Sequence, residues 1–134
     1  MPAPTIFQVE DDEDLSFFMD HAIKEISRDI SLTIVANGDK GIGLLNEYRE
    51  NNRKPGLILL DINLPGMSGI ELLKTIREIP FFKSVPIVVF STSDNPRDFK
   101  AALEFGANEF QTKPLGYREL VNRLKVLIAK YIYT

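Results

Sequence analysis

The sequence predicts an α/β fold in which a parallel sheet is covered on both faces by helices. Three features require it. Short apolar runs alternate five times with longer amphipathic segments. Two of those runs, Leu57–Leu60 and Pro86–Phe90, are apolar almost throughout, as strands buried on both faces must be. Strands that alternate with helices pair in parallel through crossover connections, and those connections are right-handed.

The elements follow in chain order. Thr5 to Val9 reads as the first strand, and Leu15, Phe18, Ala22, Ile23 and Ile26 then recur at helical spacing. Leu32 to Ala36 reads as the second strand, closed by Asn37-Gly38, and a helix from about Lys40 to Glu50 follows with Ile42, Leu45 and Tyr48 on one face. Gly41 and Gly43 weaken that helix by roughly 1 kcal/mol each relative to alanine, so it is expected to be short or mobile. After the run ending at Leu60, Leu64-Pro65-Gly66 breaks the chain, and Leu72, Leu73, Ile76 and Ile79 mark the third helix. Asn95 before Pro96 is a helix start with proline at the first helical position, and Gly106 is the matching stop. Asn108 to Gln111 is a brief fifth strand, and Leu120, Leu124, Leu127 and Ile128 stripe a last helix that runs nearly to the end.

Composition narrows the function classes. At 134 residues, with 44% hydrophobic and 26% charged residues, the sequence reads as a single domain over 1–134 with no output domain. A net charge of -3 does not point to direct nucleic-acid binding. No cysteine is present, which excludes disulfides and thiolate chemistry, and His21 is the single histidine. Met1-Pro2-Ala3-Pro4 lacks the basic and apolar regions of a signal peptide. No apolar run approaches the roughly 20 residues of a membrane span. A cytoplasmic protein without membrane association is the expectation.

Polar residues follow the apolar runs at one end of each. Glu10, Asp11 and Asp12 follow the first strand, Asp61 the third, Ser91 and Thr92 the fourth, and Lys113 the fifth. Open α/β sheets bind ligands outside the carboxyl ends of their strands. Four strand ends would therefore aim three or more carboxylates, a hydroxyl and an ammonium at one crevice. Clustered carboxylates repel one another, and a hard cation such as Mg2+, held by one or two carboxylates and a phosphate, resolves that repulsion. Without nearby histidine or cysteine the set does not suit zinc. A carboxylate there can act as a nucleophile and form an acyl phosphate. Lys113 and Mg2+ would neutralise the charge on its oxygens, and the Ser91 hydroxyl would donate a hydrogen bond.

The motifs Val9-Glu10-Asp11-Asp12, Leu59-Leu60-Asp61-Ile62-Asn63-Leu64-Pro65-Gly66-Met67-Ser68-Gly69, Phe90-Ser91-Thr92-Ser93 and Thr112-Lys113-Pro114, in this order and spacing, resemble the receiver domain of two-component response regulators. The likeness runs from Thr5 to Lys130. It implies a flavodoxin-like five-stranded parallel sheet in order 2-1-3-4-5, flanked by five helices. It implies that Asp61 accepts phosphate from a phosphohistidine on a histidine kinase or histidine phosphotransfer protein. Asp11, Asp61 and the Asn63 backbone carbonyl would bind Mg2+ directly, and Glu10 would act through a water. Ser91 and Lys113 would contact the phosphate. As a switch, Ser91 would move toward the phosphate and Phe110 would turn inward behind it, remodelling the surface of the fourth helix, fifth strand and fifth helix. Phe110 stands where many relatives carry tyrosine, so its inward rotamer is expected to be favoured even without phosphate. A cis Lys113–Pro114 bond is also implied. Such a switch would catalyse its own phosphorylation and dephosphorylation without turning over a separate substrate. It would signal by protein contact, as a monomer or as a homodimer formed on phosphorylation.

Other readings compete. A Mg2+-dependent phosphatase with an aspartyl nucleophile commonly carries a second aspartate two residues on, where this chain has Asn63. A flavin domain would want a hydroxyl- and glycine-rich loop where Glu10-Asp11-Asp12 stands. A receiver that binds partners without phosphorylation would lack site positions that are filled here. Among single residues, Asp12 reads as a solvated helix start and His21 as a surface residue. One of Phe81 and Phe82 is expected under the sheet edge, with the other available to a partner. Tyr131 and Tyr133 would suit a dimer. Arg118, Arg123, Lys125 and Lys130 read as the solvated face of the last helix.

Overall fold

The architecture is that of a computed structural model describing residues 3–133. Met1 and Pro2, at the start of the stretch tested for a signal peptide, and Thr134 lie outside the described residues. The strands are β1 (Thr5–Val9), β2 (Ser31–Val35), β3 (Leu57–Asp61), β4 (Ile87–Ser91) and β5 (Glu109–Thr112). The helices are α1 (Glu13–Ile26), α2 (Gly38–Glu50), α3 (Gly69–Arg77), α4 (Pro96–Glu104) and α5 (Tyr117–Tyr131). All strands are parallel and their spatial order is β2-β1-β3-β4-β5, the order implied by the resemblance.

Alternation along the strands splits the core in two. Phe7, Val9, Ile58, Leu60, Ile87 and Val89 face α2, α3 and α4 and pack with Leu45, Leu73 and Ile76. Ile6, Leu57, Leu59, Val88 and Phe90 face α1 and α5 and pack with Met19, Ile23, Leu124 and Ile128. The three inner strands are buried at every position, whereas β2 and β5 are half-exposed edges. That difference is why the inner strands are the apolar ones.

Helix starts obey capping chemistry. Asp12, Asn37, Ser68 and Asn95 each accept backbone N–H bonds in the first turn that follows. Pro96 occupies the first turn of α4, and Gly106, at φ 103°, follows its end as expected. A one-turn 3-10 segment, Pro80–Phe82, was not legible. It begins just after Ile79, which therefore stands outside α3.

Two expectations need correction. First, α2 runs 13 residues and is not short. Gly41 is buried on its sheet-facing side, and a Cβ there would come within 3.2 Å of Val9 Cγ2. The lost propensity thus allows the helix to lie close on β1. Second, no peptide bond among the described residues is cis. Lys113–Pro114 is trans, and Lys113 still reaches the carboxylates described below.

Phe82 is fully buried, while Phe81 is half-buried under Lys54, whose Nζ stands 4.9 Å from the ring centre. Arg118, Lys125 and Lys130 are exposed on α5, but Arg123 is half-buried and donates to the Thr112 carbonyl, Gln111 and Glu119. It fastens α5 to β5, a role its place in the basic face did not announce. Arg77 is a comparable fastener that nothing in its sequence context singles out. It donates to the carbonyls of Gly106, Phe82 and Lys83 and to Asn108 Oδ1, closing the amino ends of β4 and β5.

Candidate functional site

The carboxyl ends of β1, β3, β4 and β5 meet at one crevice. Asp61 is the last residue of β3 and is paired in register with Phe90, so Ser91 stands one step further along β4. Ser91 is in turn paired with Thr112, which places Lys113 just past β5. The Lys113 N–H donates to the Ser91 carbonyl at 2.9 Å. Glu10 follows β1, and its N–H donates to the Val35 carbonyl at 2.9 Å, continuing the β1–β2 ladder.

These backbone positions bring the side chains together. Glu10, Asp11 and Asp61 each offer a carboxylate oxygen, all within 4.8 Å of one another. Lys113 Nζ lies 3.0 Å from Glu10 Oε1 and 3.1 Å from Asp61 Oδ2. Glu10 is 2% exposed and Asp61 4%, while Asp11 lies open at the rim. The Asn63 N–H donates to Asp61 Oδ1 at 3.2 Å, and the Asp12 N–H donates to Glu10 Oε2 at 3.2 Å. Ser91 is fully buried and its Oγ accepts the Ser93 N–H at 3.0 Å. Every residue expected at the site is in this neighbourhood except Phe110, which sits two residues before Thr112 on β5. Phe110 points to the α4 side, half-buried, with its ring 5.5 Å from that of Phe99 and nearly edge-on. Asp12 caps α1, and His21 is exposed beside Phe17. Neither joins the site.

The charges are unbalanced. Burial is the strongest influence on Glu10 and raises its carboxyl above the ordinary 4.5, with Asp61 adding to the rise and Lys113 opposing it. Burial works to lower Lys113, but its hydrogen bonds and charge attraction to Glu10 and Asp61 outweigh that and hold it above 10.5. The stability Lys113 contributes is therefore complete below 10.5 and is lost as pH rises through its raised folded value. Glu10 has the same sign: ionising it costs stability as pH climbs from 4.5 through its raised value. One ammonium among three carboxylates leaves a net negative crevice.

That donor set tests the fit of a metal. It offers oxygen alone, from three carboxylates on two neighbouring strand ends, which suits a hard divalent ion and not a thiophilic one. Lys113→Ala would leave Glu10 and Asp61 buried and unpaired, at a cost of about 3 kcal/mol. Urea unfolding in chelator should show that loss, and added Mg2+ should restore a large part of it. A loss that Mg2+ leaves unchanged would mean the carboxylates do not share the ion.

Fold and crevice together define an α/β domain with an acidic, all-oxygen donor cluster at the carboxyl edge of its sheet. The family model of the response regulator receiver domain matches residues 6–125. This chain belongs to that family and is a receiver domain of two-component signalling. It is 32% identical over 135 residues to the response regulator Rcp1 of Synechocystis, spanning 99% of this chain and 92% of Rcp1. The crystal structure of the Mn2+-bound form of Rcp1 superposes with a TM-score of 0.82 over 94% of this chain and 92% of that one. The phosphorylated cyanobacterial phytochrome response regulator RcpA superposes at 0.87, with 29% identity over 96% of this chain and 94% of that one. The transcriptional regulator PhoB of Rhizobium meliloti is 30% identical, and there the match covers 95% of this chain but 53% of PhoB. No helix of the described residues is long and apolar enough to cross a membrane.

Proposed function

We propose that this chain is a phosphorylation switch in which Asp61 takes a phosphoryl group from a phosphohistidine of a histidine kinase or histidine phosphotransfer protein. The observation that carries this reading is the meeting of Glu10, Asp11 and Asp61 within 4.8 Å, with Lys113 bonded to two of them. Asp61 is the buried carboxylate of the three that stands beside both the lysine and the serine strand end, so it is the nucleophile. One of its oxygens attacks phosphorus, the P–N bond to the donor imidazole breaks, and the electron pair stays on that nitrogen. Glu10, Asp11, Asp61 and the Asn63 carbonyl would hold Mg2+, with Glu10 acting through water. The ion would supply positive charge to the phosphoryl oxygens. Lys113 balances the acyl phosphate from the other side, and Ser91 donates its hydroxyl proton to a phosphoryl oxygen. Water later cleaves the acyl phosphate in the same site, so no separate substrate is turned over. The change at Ser91 and Phe110 reaches the face of α4, β5 and α5, where a cytoplasmic partner or a second copy reads it.

Incubation with Mg2+ and acetyl phosphate tests this. One hydroxylamine-labile phosphoryl group per chain is expected, on the peptide containing Asp61, and chelation of the metal should prevent it. Incorporation elsewhere, or none, would sink the reading. Steady turnover of a small phosphoester would replace it with a phosphatase.

A further inference from the structure

The loop between β4 and α4 carries a chain of hydrogen bonds that the phosphoryl chemistry above does not use. Ser91 Oγ accepts the Ser93 N–H at 3.0 Å. Ser93 Oγ in turn donates to Asp98 Oδ2 at 2.5 Å and accepts the Asn95 N–H at 3.2 Å. Asp98 lies in the first turn of α4. The next residue, Phe99, meets the ring of Phe110 at 5.5 Å. One turn of helix therefore holds both residues of the switch, Ser91 through Ser93 and Phe110 through Phe99.

We infer that Asp98 is a positioning residue that sets the threshold of the switch by fastening Ser91 in its Ser93-facing arrangement. The physical reason is competition for one side chain. A hydroxyl has one proton and two acceptor sites, and its position is shared among the groups that bind it. Here the Ser91 hydroxyl is bonded to Ser93, while Lys113 Nζ is bonded to Glu10 and Asp61. Moving Ser91 Oγ toward a phosphoryl group on Asp61 draws it away from the Ser93 N–H. How readily that happens depends on how firmly Ser93 is held. Its hold is a hydrogen bond to an ionisable carboxylate, among the stronger kinds, reinforced by the Asn95 N–H. A carboxylate at the helix start also suits the exposed N–H groups there, so the tie and α4 support each other. Breaking it frees Ser93, lowers the cost of turning Ser91 inward and loosens Phe99 on Phe110. Two arrangements separated by a small free energy are shifted by an interaction made in one of them alone.

The proposal deepens the phosphoacceptor reading and rests on it for its functional half, so two readouts separate them. In the protein alone, Asp98→Ala should speed hydrogen exchange of the Ser93 amide about fivefold, because the bond to Ser91 Oγ is no longer braced. Asp98→Asn keeps an acceptor oxygen and should stay near wild type. Unchanged exchange in Asp98→Ala overturns the proposal. In titrations with Mg2+ and beryllium fluoride, followed by NMR, Asp98→Ala and Ser93→Ala should each bind the mimic about fivefold more tightly than wild type. In a Ser91→Ala background the Asp98→Ala effect should vanish, since nothing remains to be held back. Weaker or equal binding in Asp98→Ala, or a gain that persists without the Ser91 hydroxyl, overturns the proposal. Failure of the wild type to bind beryllium fluoride would instead sink the phosphoacceptor reading, and the amide exchange would still decide whether Asp98 fastens Ser91.

Discussion

Asp61→Asn is expected to abolish phosphorylation by acetyl phosphate while leaving the fold at least as stable in chelator. The two halves come from one charge balance. In the proposed function the carboxylate is the nucleophile, and a neutral amide could not form the acyl phosphate. Yet in the free protein the same carboxylate adds negative charge to a crevice that already holds Glu10, raised by burial, and Asp11. Removing it leaves Lys113 paired with Glu10 at 3.0 Å, and the amide oxygen can still accept the Asn63 N–H. Mg2+ should then separate the two proteins. Wild type at 100 times the dissociation constant gains about 2.7 kcal/mol from the ion, and the variant should gain much less. Thermal unfolding with and without Mg2+, together with a phosphorylation assay, checks both halves. A large stability loss in chelator would mean that Asp61 is held for packing and not for chemistry.

Much of this site was legible because the strands that carry it are buried on both faces. Leu57–Leu60 and Pro86–Phe90 admit few readings other than inner strands, so the first polar residue after each had to lie at a carboxyl end. Asp61 and Ser91 in fact close their strands as the final residues, so each strand ends one residue later than the sequence suggested. The edges, whose half-exposed residues give a weaker pattern, are displaced by one residue as well, β2 one earlier and β5 one later. The acids after β1 were harder to separate. Glu10 turns into the crevice, Asp11 stays at its rim and Asp12 caps α1; the helix start at Asp12 was legible, but the division of roles between Glu10 and Asp11 rested on the family resemblance.

What stayed hidden was long-range. The contacts of Lys113 with Glu10 and Asp61 join residues 103 and 52 positions apart. The Arg77 clamp joins carbonyls up to 31 residues away through a side chain that looks like any exposed arginine at a helix end. Ser93 and Asp98 are an ordinary loop serine and an ordinary first-turn acid. Only the fold shows the 2.5 Å bond between them. Gly41 reads as a helix weakness in one dimension and as a close approach to Val9 in three.

Glycines give the sharpest contrast between those two ways of reading a residue. Gly69→Ala is expected to destabilise the protein by about 3 kcal/mol, lowering the thermal midpoint by roughly 10 °C. Gly69 opens α3, where alanine would normally be the better residue. Here its N–H donates to the Ile62 carbonyl at 2.9 Å, and the helix start is drawn against the end of β3. A Cβ would stand 2.6 Å from Ile62 Cα and 2.7 Å from the Asp61 carbonyl carbon. Both are backbone atoms, so no side chain can swing aside. Either α3 lifts off the sheet or the strand end carrying Asp61 shifts, and phosphorylation should fall with stability. Gly43→Ala, on exposed α2 with nothing within 4 Å of its Cβ, should instead gain up to about 1 kcal/mol from helix propensity alone. Thermal midpoints moving in opposite directions for the two variants are the expected result. A harmless Gly69→Ala would mean that the backbone of Asp61 is not held by α3, and that its carboxylate owes its position to its side-chain partners alone.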